Sequence, residues 1–169
     1  VAGSDFPSVG GYDGMRETAE EKKKRRPGAP RIRIAGTGSG CGKTTLTCGI
    51  LYGFVGQGYS PAAYKCGPDY IDSMFHSRVL GIETGNLDSF FTDDQTLRDL
   101  LAGRQADIHV IEGVMGYYDG MGFTDNGSAS EIAALTKTPV ILNANASGLN
   151  RTILAGPRGL LATPSPAGL

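Results

Sequence analysis

The feature that most constrains this sequence is a glycine-rich loop that joins a β-branched segment to a helix-forming segment. The β-branched segment covers residues 31–35, and the loop runs from Gly36 to the sequence Gly42-Lys43-Thr44-Thr45. A strand, a glycine-rich loop and a helix that starts with Lys and Thr form a phosphate-binding loop, since backbone N–H groups and the positive helix end face the anion. We therefore expect Lys43 to neutralise phosphate charge and the Thr44 hydroxyl to bind Mg²⁺.

The loop departs from the usual spacing at its start. The standard motif has its first glycine five residues before Gly42, where this chain has Thr37, and Gly36 lies one step earlier. This pattern is typical of the phosphate-binding loops that open with Gly-Thr and end in Gly-Lys-Thr, and an ordinary glycine turn is the structural alternative. The residues expected to bind the nucleotide are Thr37, Gly38, Ser39, Gly40, Cys41, Gly42, Lys43, Thr44 and Thr45.

Composition limits the class of protein. The chain has 169 residues, of which 40% are hydrophobic and 20% charged, which is typical of one globular domain with a buried core. The net charge of -1 gives no electrostatic reason to expect nucleic acid or an anionic membrane as a partner, and no apolar run is long enough to span a bilayer. Three cysteines form no metal-type pair and no complete disulfide framework, so reduced thiols in a cytoplasm are the simplest interpretation.

Two terminal segments differ from the rest of the chain. Residues 1–30 are polar and glycine-rich with a basic cluster, which predicts a disordered or linker segment. Residues 150–169 are rich in Pro, Gly and Ala, which predicts an irregular tail. The first residue is not Met, so we expect the chain to be a fragment of a longer protein, with residues 31–149 as an incomplete ATP-binding domain.

Between these segments, strand and helix patterns alternate. Strands are predicted at 32–35, 62–65, 107–112 and 139–142. Helices are predicted at 43–56, from a capping box at 92–95 to about 101, and from a capping box at 128–131 to about 136. The alternation predicts an α/β fold of the P-loop NTPase type: a doubly wound, mostly parallel sheet with helices on both faces.

Acidic residues follow two of the predicted strands. Asp69 and Asp72 lie in a loop after the second strand, and Glu112 ends the strand 107–112. Ligands of doubly wound folds bind at the carboxyl ends of the strands, and Mg²⁺ prefers oxygen ligands. Thr44, Glu112 and one of Asp69 or Asp72 are therefore candidate Mg²⁺ ligands, although the spacing does not decide between the two aspartates. Asp119 lies in a glycine-rich loop that can fold back over the site.

Four segments together resemble a known family. They occur in family order, and they resemble the amino-terminal ATP-binding domain of cobyrinic acid a,c-diamide synthases over residues 31–145. The second and fourth segments are much more specific than the phosphate-binding loop alone. The segments are Ile34–Thr45, Lys65–Asp72 with Phe75 and His76, Gly85–Asp88, and Glu112–Gly120.

The resemblance implies a glutamine-dependent amide ligase of cobalamin synthesis. Such enzymes use ATP and Mg²⁺ to convert the a- and c-acetate groups of a corrinoid, a tetrapyrrole, into amides through an acyl phosphate that ammonia attacks. By similarity, the catalytic residues are Lys43, Lys65, Asp72 and Glu112. The resemblance places Thr44, Asp69 and Glu112 at the metal, and Tyr70, Ile71 and Asp119 on the substrate side or in ordering roles.

One part of the family pattern is not present. Family members carry a carboxy-terminal glutaminase domain with a Cys nucleophile and a His–Glu pair, and nothing similar follows Asn145. We expect Cys66, His76 and His109 to be structural residues and not a displaced triad. The chain is therefore expected to need ammonia from a glutaminase domain that it lacks, and the sequence leaves a homodimer open.

Three alternative functions stay open. A nickel-sirohydrochlorin a,c-diamide synthase performs the same chemistry on another tetrapyrrole, and the sequence does not separate the two substrates. A dethiobiotin synthetase-like enzyme shares the Gly-Thr loop and the Glu-Gly turn, but residues 69–72 and 115–119 argue against it. A partitioning-type switch ATPase has a signature Lys five residues before Lys43, where this chain has Gly38.

Overall fold

Within the part of the chain that the structure describes, five parallel strands form one sheet. In this computed structural model, the described residues are 28–67, 77–78, 80–82, 84–89, 91–122 and 124–162. The strands are β1 (Arg31–Gly36), β2 (Pro61–Cys66), β3 (Thr84–Leu87), β4 (Ile108–Glu112) and β5 (Val140–Asn143), and their order across the sheet is β3-β2-β4-β1-β5. The parallel doubly wound architecture predicted from the sequence is confirmed.

The strand register aligns the carboxyl ends of the central strands. In β4, Glu112 is paired with Ile34 of β1 and with Lys65 of β2. On the other side of β1, Gly36 is paired with Asn143 of β5. The ends of four strands therefore meet along the edge of the sheet from which the glycine-rich loop leaves.

Helices cover both faces of the sheet. These helices are α1 (Lys43–Gly56), α2 (Asp94–Gly103) and α3 (Ala129–Thr136). A 3₁₀ turn at Arg151–Leu154 and α4 (Ala155–Ala162) follow β5, and α4 buries none of its residues. Successive strand residues point to opposite faces, so the core divides in two. The core on the α1 side contains Ile34, Leu51, Ala63, Ile82 and Val110. The core on the side of α2 and α3 contains Ala62, Tyr64, Cys66, Leu87, Leu97, Leu101, Ile111 and Ile132.

Of the two predicted helix N-caps, the one of α3 is confirmed and the one of α2 is wrong by one residue. The Ser128 side chain accepts a hydrogen bond from the Glu131 backbone N–H at 3.1 Å, so the predicted start of α3 is confirmed. The start of α2 was predicted one residue too early, because Asp93 and not Thr92 is the N-cap, with Asp93 Oδ1 accepting from Thr96 N at 2.8 Å. These bonds from Thr96 lower the pKa of the Asp93 carboxyl.

Two further predictions need correction. β3 was not predicted as a strand, because the sequence Thr-Gly-Asn-Leu has a low strand propensity. The segment is a strand in the structure because it pairs with β2. The tail was predicted to be irregular, but it contains the 3₁₀ turn and α4. Pro157 lies in the first turn of α4, where its missing N–H has no intrahelical partner to lose.

The chain termini lie mostly outside the described residues. Of the predicted linker 1–30, the structure describes only residues 28–30, and of the tail it describes residues up to 162. Within the described ranges, no helix has the length and apolar character that crossing a membrane requires.

Candidate functional site

Crowding at the end of β1 explains the unusual start of the glycine-rich loop. A Cβ atom on Gly36 would lie 3.0 Å from Lys43 Cδ and 3.1 Å from the Gly38 carbonyl oxygen, and it would also collide with Cys41 Sγ. Only glycine fits where the loop folds back over the strand end. Thr37 follows with its N–H bonded to the Asn143 carbonyl at 3.0 Å.

The first turn of α1 is arranged to receive an anion. Gly42 is the N-cap residue, with a left-handed backbone conformation (φ 93°) and no side-chain capping bond. The first turn of α1 contains no acidic residue. The first N–H groups of a helix have no intrahelical partner and carry a partial positive charge, so this helix start offers donors and a favourable potential to phosphate.

Lys43 is buried and links the glycine-rich loop to the loop after β4. The residue is only 7% exposed, and its ammonium donates to the Gly38 carbonyl at 2.8 Å and to the Met115 carbonyl at 2.6 Å. Both partners are neutral main-chain oxygens. The positive charge of Lys43 is therefore held in place without being neutralised by either of them.

Glu112 joins Lys65 and Thr44 beside this lysine. Glu112 and Lys65 are 0% and 3% exposed, and they lie side by side in the register of β2 and β4. Glu112 Oε1 accepts a hydrogen bond from Thr44 Oγ1 at 2.5 Å and from Lys65 Nζ at 2.7 Å. The structure thus brings together Lys43, Thr44, Lys65 and Glu112, which combine two cations with one carboxylate.

The oxygen groups at this site have the chemistry that Mg²⁺ prefers. Thr44 supplies a hydroxyl and Glu112 a carboxylate, and Mg²⁺ takes one or two carboxylates together with phosphate and water oxygens. Within the described ranges, no three His, Cys, Asp or Glu side chains are grouped as metal ligands. The predicted site residues Asp69, Tyr70, Ile71 and Asp72 lie outside the described residues.

The loop after β4 contains a residue with a strained backbone and a turn that is closed by a hydrogen bond from the main chain to a side chain. Met115, whose carbonyl receives Lys43, has φ 45°, a left-handed conformation that costs about 1–3 kcal/mol for a non-glycine residue. One residue later, the Gly116 N–H donates to Asp119 Oδ2 at 2.7 Å. The exposed Asp119 therefore orders the turn that places the Met115 carbonyl.

Two contacts of the site were not anticipated from the sequence. Asn143, at the end of β5, donates from Nδ2 to the Cys41 carbonyl at 3.0 Å and so supports the glycine-rich loop. Its position at a strand end was a usable signal, because β5 is adjacent to β1. The contact between Lys43 and the Met115 carbonyl could not be predicted, because every residue has a main-chain oxygen and the sequence does not show which one reaches Lys43.

Cys66 and His109, two of the three residues considered for a displaced glutaminase triad, lie on the face of the sheet opposite α1. Cys66 and His109 are buried on the α2 and α3 side of the sheet, where the His109 ring lies 5.6 Å from that of Tyr64. Burial raises the pKa of the Cys66 thiol, while the nearby charges of Arg33 and Lys65 lower it by less. His76 lies outside the described residues.

Comparison with known proteins places these observations in a family. Residues 32–154 match the family model described as the CobQ/CobB/MinD/ParA nucleotide binding domain. Among solved structures, the chain is similar to the 54 kDa signal recognition particle protein of Aeropyrum pernix K1 in complex with GDP. That similarity has a TM-score of 0.49 and 19% identity, and it covers 73% of this chain and 31% of the other.

Curated relatives carry one recurring name, cobyrinate a,c-diamide synthase. The relative from Listeria monocytogenes serotype 4b (strain F2365) is 45% identical over 129 residues, which cover 74% of this chain and 28% of the relative. The relative from Priestia megaterium is 41% identical over 132 residues, with coverage of 76% and 29%. The relative from Thermoplasma volcanium is 43% identical over 132 residues, with coverage of 77% and 29%.

These matches confirm the family resemblance predicted from the sequence. The chain spans less than a third of the length of the curated relatives it matches. The family model, in contrast, covers well over half of the chain and includes the loop, Lys65 and Glu112. The chain belongs to the CobQ/CobB/MinD/ParA nucleotide binding domain family.

Proposed function

We propose that this chain is the nucleotide-binding part of an ATP- and Mg²⁺-dependent amide ligase that acts on the a- and c-acetate carboxylates of a corrinoid. The observation that carries the proposal is the arrangement around Glu112, whose Oε1 accepts from both Thr44 and Lys65 at the end of the phosphate-binding loop. The shared name of the relatives supports the choice of substrate.

Lys43 is suited to bind the phosphate that is transferred. Its ammonium donates to two main-chain carbonyls, at 2.8 and 2.6 Å, and a phosphate oxygen is a stronger acceptor for an ammonium. Phosphoryl transfer depends mainly on positioning and on stabilising negative charge. Lys43 therefore supplies charge stabilisation, while the N–H groups at the start of α1 fix the phosphate chain.

Thr44 and Glu112 would hold the magnesium ion. When bound, Mg²⁺ neutralises phosphate charge and orients the phosphate chain. In the structure, Glu112 keeps the Thr44 hydroxyl directed along the end of β4, and Lys65 balances the Glu112 charge. The buried Lys65–Glu112 pair thus fixes the orientation of both oxygen groups.

Lys65 also provides a second cation on the β2 side of the site. A carboxylate is a poor acyl donor, and its conversion into an acyl phosphate brings together two negatively charged groups. Lys65 bonds Glu112 directly, and Lys43 precedes Thr44, which also bonds Glu112, so both cations are near enough to the site to reduce the repulsion between such groups. In the transfer, the carboxylate oxygen attacks the γ-phosphorus of ATP and ADP leaves. Ammonia then attacks the acyl carbon of the acyl phosphate, and inorganic phosphate and a proton leave as the amide forms. We propose that the ammonia comes from a glutaminase domain.

The phosphate and metal roles can be tested by nucleotide binding. Lys43→Ala and Glu112→Gln should each weaken Mg²⁺-dependent ATP binding by about tenfold to a hundredfold, since each removes a charged partner. Glu131→Gln is a matched control, because Glu131 is a half-buried carboxylate that caps α3 through the Gly127 N–H at 2.6 Å. Unchanged ATP binding in a folded Lys43→Ala or Glu112→Gln variant contradicts the assignment.

The substrate can be tested once the chain is joined to the remaining part of a relative. With ammonia, ATP and Mg²⁺, the joined protein should amidate cobyrinic acid. Nickel-sirohydrochlorin, and diaminopelargonate with CO₂, are assayed under the same conditions. Turnover of either one without turnover of cobyrinic acid overturns the corrinoid assignment and leaves the phosphate site intact.

A further inference from the structure

Asn86, the third residue of β3, has a side-chain amide without a hydrogen-bond partner among the described residues. Both of its polar atoms, Oδ1 and Nδ2, are buried from solvent. A buried amide that gains no partner costs free energy, since it has left water without replacing the bonds it made there. Such an amide is expected to meet a ligand or a water that completes it.

The strand register places Asn86 in one row with two residues of the candidate site. Asn86 is paired with Lys65 of β2, and Lys65 is paired with Glu112 of β4. Leu87 and Cys66, which follow Asn86 and Lys65, lie in the core on the α2 and α3 side. Because successive strand residues point to opposite faces, Asn86 and Lys65 both point to the α1 side.

Lys65 occupies the middle of this row. On one side its Nζ donates to Glu112 Oε1 at 2.7 Å, and on the other side the Asn86 backbone lies one strand spacing away, about 4.8 Å. Asn86 as a whole residue is half-buried and is followed by only one further residue of β3. A group that enters at the carboxyl ends of β2 and β3 therefore meets the Lys65 side chain and the Asn86 amide together.

Lys65 and Asn86 together have the chemistry that a carboxylate requires. The ammonium attracts the negative charge, and the amide Nδ2 donates hydrogen bonds without adding a further charge to the row. The amide Oδ1 is an acceptor, so the same side chain can also receive an N–H of a primary amide. Asn86 is therefore complementary to a carboxylate before amidation and to the amide afterwards.

We propose that Asn86 binds the reacting carboxylate of the substrate through Nδ2 and so helps to select that group. The inference rests on the proposed function, because it assumes that a carboxylate is brought to the Lys65 side of the phosphate site. It adds a substrate contact on β3, a strand to which the phosphate and metal roles assign no residue. The bound carboxylate completes the Nδ2 side of an amide that has no partner among the described residues.

Asn86→Leu tests whether the amide has a partner inside the protein. Leucine is similar in size and has no polar atoms, so the variant removes the unpartnered groups without opening a large cavity. The midpoint of urea unfolding should therefore stay the same or rise. A lower midpoint is expected if the amide serves the fold through an internal bond.

Asn150→Leu is the matched control. Asn150 is the N-cap of the 3₁₀ turn, is exposed, and makes no side-chain capping bond there. The same chemical change at this position should leave the urea midpoint unchanged and the kinetic constants within about twofold.

Substrate binding is measured with the chain joined to the remaining part of a relative, in the presence of ammonia, ATP and Mg²⁺. Asn86→Leu should raise the KM for cobyrinic acid by about tenfold to a hundredfold, because it removes a hydrogen bond to a charged group. The KM for ATP should stay within about twofold of the original. Asn86→Asp replaces the Nδ2 donor by a negatively charged oxygen, should raise the KM for cobyrinic acid at least as much, and is used if the leucine variant does not fold.

Each contrary result has a distinct meaning. An unchanged KM for cobyrinic acid in folded Asn86→Leu overturns the inference, and a lower urea midpoint then assigns the amide to a buried water or to the fold. Equal increases of the two KM values also overturn it, because they show a general disturbance of the site. If the joined protein without substitutions amidates neither cobyrinic acid nor nickel-sirohydrochlorin while its ATP binding still depends on Lys43, the amide-ligase function fails, and this inference fails with it.

Discussion

The two faces of the sheet both bury positive charge, but they do so in different ways. On the α1 side, Lys65 pairs with Glu112 at 2.7 Å, and Lys43 binds carbonyls of two loops. On the opposite side, Arg33 is 0% exposed and donates to the Ala129 carbonyl and to Cys66 Sγ. Among the described residues, no carboxylate pairs with Arg33.

The buried cations on the two faces differ in the groups that lie within their reach. Lys43 is the first residue of α1, and the oxygens it bonds are loop carbonyls that an anion can replace. Arg33 lies inside β1, between a helix carbonyl and a thiol whose pKa is raised by burial. The buried charges on the α1 side therefore lie at the strand ends beside the glycine-rich loop, where an anion can reach them, whereas Arg33 on the opposite face bonds groups of the core.

The largest effect is expected from breaking the ion pair on the α1 side. Glu112→Leu leaves the Lys65 ammonium buried without its carboxylate, so the free energy of unfolding should fall by about 3–5 kcal/mol. The double variant Lys65→Met with Glu112→Leu removes both charges, and it should recover most of this loss. Urea denaturation of the single and double variants gives the coupling energy between the two residues.

The prediction is contradicted if the stability losses of the two single variants simply add in the double variant. If the double variant is as unstable as the sum of the two single variants, the two charges do not stabilise each other. Nucleotide binding gives a second measurement, because the stable double variant still lacks Glu112. It should bind Mg²⁺–ATP more weakly than the original chain although it is folded.

A smaller effect is expected on the opposite face. Arg33→Met keeps a long side chain but removes the donor to the buried Ala129 carbonyl, so the free energy of unfolding should fall by about 1–3 kcal/mol. Because Arg33 does not face the phosphate-binding loop, the ATP affinity of the folded variant should stay within about twofold of the original. A tenfold loss of affinity would show that the two faces are coupled.

The fold was predictable where local sequence and packing agree. The apolar residues Leu46, Ile50, Leu51 and Phe54 recur at helical spacing and pack in the core on the α1 side. Ser128 gives α3 a strong start signal, and both helices were predicted close to their observed bounds. β3 was not predicted, since Gly85 and Asn86 are weak strand formers and the strand depends on its pairing with β2. Such tertiary pairing is not visible in a local pattern.

The sequence predicted which side chains form the candidate site, but it did not predict the main-chain groups that contact them. Parallel strands end at one edge of a sheet, and this rule places Glu112 beside the loop that carries Thr44. Lys65 was expected at the site only from the family resemblance. The Met115 carbonyl reaches Lys43 only because Met115 adopts φ 45°, which no residue preference of methionine suggests. The aspartates 69 and 72 lie outside the described residues, so their roles stay predictions.

The smallest effect is a pH dependence on the Arg33 side of the sheet. Burial lowers the pKa of His109 from its ordinary value of 6.5, and the nearby positive charges of Arg31 and Arg104 lower it further. The unfolded chain therefore binds a proton near pH 6.5, while the folded chain binds it only at lower pH. Stability is present above pH 6.5 and is lost as the pH falls below that value, by at most about 1.4 kcal/mol per pH unit.

His109→Gln tests this pH dependence because glutamine does not titrate. Between pH 7 and pH 5, the original chain should lose more unfolding free energy than the variant, and the difference should grow as the pH falls. The Lys65–Glu112 pair is present in both proteins, so its own pH dependence cancels in the comparison. If the two curves stay parallel, His109 does not contribute, and the pH dependence of the fold arises from other titrating groups.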